Sequence, residues 1–210
     1  KAWIEQGRVL ARTGRPAEAA AAFDTATRID PGDPGAWYEK GLACASIGEH
    51  REAVAALERA LELEPGNTVA WFRKALALSA LGDHPGAIAD LDRALALDPA
   101  NGEAWHRKGL ALQALGNLPG AAEAFRASID ADPSRSRPWL LLGVAARLSN
   151  RMGEALSALD RAARMDPEDP EAWHERGLVL VELGRIEEGI SSFDRALEIR
   201  PEDAGSLYAR

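Results

Sequence analysis

The chain has 210 residues, 46% of them hydrophobic but only 6% aromatic, with 33 acidic against 25 basic side chains and a net charge of -8. This core-forming composition carries a negative field that does not attract phosphate backbones, so nucleic acid is not an expected partner. The one cysteine, Cys44, excludes an internal disulfide or a multi-cysteine metal site, and no run of about 20 apolar residues is free of charge, so no membrane partner is expected.

The six tryptophans fall at Trp3, Trp37, Trp71, Trp105, Trp139 and Trp173, each 34 residues after the last, which marks a tandem array. In chain order, the first unit places Gly7 four residues after its Trp, a helix-stopping Gly14 eleven after, and closes on Pro31. The second repeats this with Gly41, Gly48 and Pro65. Its first helix, A, is predicted over Ala36 to Ile47. Its second, B, carries Ala53, Val54, Leu57, Ala60, Leu61 and Leu63 at spacings of three and four, one apolar stripe.

The third unit has Ala75 in the first glycine slot, then Gly82, and closes on Pro99; Pro85 marks the start of its helix B, where a missing amide costs nothing. The fourth has Gly109, Gly116, Pro119 as its helix B start, and Pro133. The fifth has Gly143 and closes on Pro167. It puts Asn150 at the helix stop, the other residue that enters the left-handed region cheaply, and also carries Pro138, the run Leu140, Leu141, Leu142, and Arg135 with Arg137. The sixth has Gly177, Gly184 and Pro201. Ala19, Ala53, Ala87, Ala121, Ala155 and Gly189 recur on helix B and are small enough for it to approach helix A closely. A hairpin of about 30 residues cannot cover its own stripe, so each unit needs its neighbours.

These residues resemble the tetratricopeptide repeat family over essentially the whole chain. Trp37 with Gly41 matches the start of the family pattern W-x2-L-G-x2-Y; Ala19 with Phe23 and Ala121 with Phe125 match its A-x3-F; the six prolines match its end. The departures are regular. The family's Leu survives only as Leu142 and is otherwise Gln6, Lys40, Lys74, Lys108 or Arg176, and its Tyr is replaced by Leu10, Cys44, Leu78, Leu112, Ala146 and Leu180.

The resemblance implies an all-α fold, a right-handed superhelix or solenoid of stacked helix-turn-helix repeats, with A helices lining the concave side. It implies one solenoid over 1–210 with repeats at 1–33, 34–67, 68–101, 102–135, 136–169 and 170–203, and the start of a truncated seventh helix at 204–210. The chain opens on Lys1 without Met and is expected to be a piece of a longer one. With no polar capping helix in view, end-to-end self-association is a further expectation.

Cys44 shares a slot with Leu10, Leu78 and Leu112 and reads as a core residue; a single thiol leans the localisation toward the cytoplasm. The histidines, His50, His84, His106 and His174, lack converging ligands for a metal, and the glycines follow the repeat and form no phosphate loop, so no catalysis, metal or cofactor is expected.

Family geometry puts the residues one, five, eight and nine after each Trp on the concave face. Lys and Asn are absent from the slots of the family's carboxylate clamp, and Asn67, Asn101, Asn117 and Asn150 lie at helix boundaries, so no Asn ladder runs along the face. The face is left largely apolar, and the expected peptide-binding residues are Tyr38, Leu42, Phe72, Leu76, His106, Leu110, Gln113, Leu140, Val144, Arg147, Leu148 and His174. The expected function is a non-enzymatic scaffold that binds a peptide or helix of a partner protein there. The rival readings are a self-associating spacer, or the docking arm of an enzyme whose catalytic domain lies outside this fragment.

Overall fold

The computed structural model describes residues 1–202, so the seventh-helix start expected at 204–210 lies outside the described residues. Within them the chain is all-α, a helical repeat of twelve helices with no strand. It divides into two compact units, Lys1–Ala100 and the part from Asn101 onward. The first holds α1 (Ala2–Arg12), α2 (Pro16–Ile29), α3 (Pro34–Ser46), α4 (His50–Leu63), α5 (Thr68–Ala80) and α6 (His84–Leu97). The second holds α7 (Gly102–Ala114), α8 (Leu118–Ala131), α9 (Ser136–Leu148), α10 (Met152–Met165), α11 (Pro170–Glu182) and α12 (Ile186–Ile199). Odd-numbered helices are the A helices and even-numbered ones the B helices. Inside each unit every helix packs on the next in sequence.

The turn inside each hairpin is made by a left-handed residue. Gly14, Gly48, Gly82, Gly116 and Gly184 have φ between 75° and 80°, and Asn150 takes the same role at φ 59°. A side chain caps the start of α3, α5, α7 and α11, where one hairpin passes to the next. Asp33 accepts hydrogen bonds from the amides of Gly35 at 2.9 Å and Ala36 at 3.2 Å, so α3 begins at Pro34, two residues before the expected start at Ala36. Asn67, Asn101 and Asp169 cap α5, α7 and α11 in the same way.

Close packing inside each hairpin depends on two small positions. Ala19, Ala53, Ala87, Ala121 and Ala155 are all fully buried on B helices. On the A helices, a Cβ built on Gly109 would lie 2.4 Å from the Phe125 ring, and one on Gly177 2.5 Å from the Phe193 ring. Phe125 and Phe193 fill the space that the missing side chains leave, and both are fully buried.

The tryptophans bracket the connections and are half-buried, with Trp3 42% exposed. The indole N–H of Trp37 donates to the carbonyl of Pro31 (3.0 Å), that of Trp71 to Pro65 (2.9 Å) and that of Trp173 to Pro167 (3.0 Å). The cations that stand in the family's Leu position lie over these rings: Lys40 5.2 Å from the Trp37 centroid, Lys74 5.5 Å from Trp71, Lys108 5.1 Å from Trp105 and Arg176 5.8 Å from Trp173. Lys40, Lys74 and Arg176 also reach back to Asp24, Glu58 and Asp160 on the preceding B helix.

Lys74 has a second partner, Asp90 on α6, at 3.4 Å. Asp90 is buried, and desolvation outweighs the pull of Lys74, so its carboxyl titrates above the ordinary value. A carboxyl raised in the folded state contributes stability below its unfolded pKa and loses it as pH rises through the folded one. Asp90→Asn is therefore expected to gain stability relative to the parent as pH is raised from acid to neutral, which urea titration at several pH values checks.

Candidate functional site

In the first unit, Tyr38 and Leu42 lie one turn apart on α3, and Phe72 and Leu76 occupy the same register on α5. All four are half-buried. Tyr38 packs against the core around Leu57, Leu61 and Ala70. Leu42 and Leu76 come together across the two A helices and line one hollow of about 340 Å³. Ala45 and Ala77 add apolar wall, while Ser46, His50 and Arg73 supply its polar groups.

Two basic residues elsewhere on the A helices, Arg8 and Arg147, are already occupied. Arg8 on α1 donates to Glu39 on α3 at 2.8 Å and to Glu5 at 3.0 Å. In the second unit Arg147 on α9 meets Glu175 and Glu182 on α11, each at 3.1 Å. These pairs fasten one A helix to the next, and Arg147 is thus neutralised within the chain.

The second unit holds the remaining expected residues, and two of them are core rather than surface. Leu140 is fully buried, packed with Leu159, Ala162 and Val179, so it offers nothing to a ligand. His106 is buried with its ring centroid 6.0 Å from that of Phe125. Burial holds its imidazole below the usual value, against an opposing pull from Glu103. The position after the Trp turns toward its own hairpin's B helix, as His174 does with its ring 5.7 Å from Phe193. His174 stays half-exposed. Leu110 and Val144 are half-buried on core clusters, Gln113 is half-buried, and Leu148 is 51% exposed.

A larger hollow, about 700 Å³, lies on the other side of the first unit between α2 and α4, walled by Ala17, Ala20, Ala21, Ala55 and Ala56 over Trp37. Sequence reasoning did not find it, although the run of alanines was its signal. Cys44 also lines it; the thiol is buried, and desolvation with help from Glu49 pushes its pKa up, which suits packing rather than reaction. Among the described residues no group of three His, Cys, Asp or Glu side chains could hold a metal ion, and no helix is long and apolar enough to cross a membrane.

A family model described as tetratricopeptide repeat matches residues 4–68, 38–102, 72–136 and 106–170, and a second of the same description matches 142–210. No curated protein matches the sequence. Among solved structures, the chain is similar to YrrB, described as a tetratricopeptide-repeat protein with an unusual peptide-binding site, at 20% identity and a TM-score of 0.80 over 90% of this chain and 98% of that one. It is similar to residues 41 to the end of MamA from Desulfovibrio magneticus RS-1, at 24% identity and a TM-score of 0.76 over 81% of this chain and 97% of that one. PilF of Pseudomonas aeruginosa matches at 16% identity with a TM-score of 0.77, over 99% of this chain and 94% of that one.

Proposed function

This chain belongs to the tetratricopeptide repeat family, and from that premise we propose that it is a non-enzymatic scaffold that holds a peptide or a helix of a partner protein on its A-helix face. The observation that carries this reading is the meeting of Leu42 and Leu76 in one hollow. Two aliphatic side chains on successive A helices, each half-buried and backed by alanine, offer a slot for an apolar side chain without any polar group of the guest being stranded. Tyr38 and Phe72 extend that surface by one helical turn. In the second unit, the contacts at the same register are Leu110, Val144 and His174, and Gln113, Arg147 and Leu148 extend them by one turn. YrrB supports the reading as a protein of the same fold that carries a peptide-binding site.

The test uses a peptide selected from a random library against the wild-type chain. Leu76→Glu is expected to weaken its binding by about tenfold or more, because a carboxylate in that slot removes apolar contact and must be desolvated. Unfolding midpoints of the two proteins check that the variant remains folded. Unchanged affinity in a folded variant would place the binding elsewhere and favour the spacer or docking-arm reading.

A further inference from the structure

Successive A helices are fastened differently at different steps, and the difference singles out one side chain. At the step from α1 to α3, Arg8 is held by Glu39, the second residue after its Trp. At the step from α9 to α11, Arg147 is held by Glu175, again the second residue after its Trp. At the step from α3 to α5 that same register carries Arg73, and Arg8's counterpart on α3 is Leu42. The carboxylate has become a guanidinium and its cation has become a leucine. Arg73 is exposed, and among the described residues no carboxylate pairs with it.

The hollow at this step has the matching chemistry. Arg73 lines it beside Leu42 and Leu76, with the Ser46 hydroxyl and the His50 imidazole, and no Asp or Glu takes part in its lining. In a chain of net charge -8, a hollow with a free guanidinium and no acid is a local inversion of the overall field. A guanidinium next to an apolar slot selects a carboxylate carried beside an aliphatic side chain, since the planar fork forms two parallel hydrogen bonds to a carboxylate and the slot takes the neighbour.

We propose that the hollow between α3 and α5 recognises an acidic-aliphatic segment of the partner, with an Asp or Glu side chain on Arg73 and an adjacent Leu, Ile or Val between Leu42 and Leu76. This inference rests on the A-helix face being the binding face, and it adds the chemistry of the guest. The partner's charge is thereby specified: a basic or uncharged segment leaves Arg73 unpaired or repelled.

The experiment is a selection from a random peptide library displayed as an internal loop, so that side chains supply the only carboxylates. It is run in parallel on the wild-type chain and on Arg73→Glu and Leu76→Glu. The wild type is expected to enrich Asp or Glu next to an aliphatic residue, and Arg73→Glu to enrich Lys or Arg in the same place. Replacing the acid of a selected peptide by its amide is expected to lower affinity about tenfold on the wild type and to change little on Arg73→Gln. Wild-type enrichment without acids, or acid enrichment that persists on Arg73→Glu, overturns the inference. If such peptides still lose binding on Leu76→Glu, the binding face itself stands; if binding is indifferent to Leu76→Glu, or nothing is enriched at all, both readings fall.

Discussion

Phe125→Ala is expected to cost about 3–5 kcal/mol, measured as the drop in unfolding free energy from urea titration. Phe125 is fully buried in α8, its ring lies against the bare Cα of Gly109 on α7, and it belongs to the cluster that includes Ala121, Ile129, Leu141 and Ala145. Removing it leaves a cavity that the hairpin cannot close, because both helices are already in contact through small residues. The complementary change overfills the same space. In Gly109→Ala the new methyl would stand 2.4 Å from the ring, and a cost of about 1–3 kcal/mol is expected. The effects of the two changes should not add, since both act on one contact. Additivity would show that the glycine is there for some other reason than to seat the ring.

Trp173→Ala is expected to cost about 3–5 kcal/mol, well above Trp3→Ala at about 1 kcal/mol. Trp173 packs on the cluster of Leu140, Leu159, Ala162 and Val179, donates to Pro167 and lies under Arg176, so it joins α11 to the hairpin before it. Trp3 is 42% exposed, and among the described residues its indole N–H meets no acceptor. Equal losses at the two sites would contradict the role given to the indoles in joining hairpins. Because within each unit a helix packs mainly on its neighbours in sequence, the unfolding transition is expected to be broader than two-state, and midpoints should be compared alongside extrapolated free energies.

The residues that were legible in the sequence act locally. The 34-residue spacing of Trp, the left-handed Gly and Asn150, and the alanines of helix B each impose a backbone or a volume within their own hairpin, and the helices and turns follow. The early start of α3 was missed because the proline at its first position was not read together with the Asp33 cap. Pairings across hairpins were not legible, since nothing in local spacing links Lys40 to Asp24, 16 residues back, or Arg147 to Glu175, 28 residues on.

The candidate face shows the same division. Family register located the A-helix positions but not the depth at which each side chain sits. His106 and Leu140 therefore turned out to be core, where Tyr38 at the same register keeps part of its surface. The significance of Arg73 emerged only from comparing helix steps, because a lone arginine on a helix reads as solvated surface until its counterparts Glu39 and Glu175 are seen to hold a cation of the preceding A helix.

The most direct test of the A-helix face as the binding surface is a crystal structure of the chain with a library-selected peptide. The account predicts an aliphatic side chain of the peptide seated between Leu42 and Leu76, within van der Waals contact of both. A peptide lying solely over the alanine-walled hollow between α2 and α4, or clear of both leucines, would contradict it.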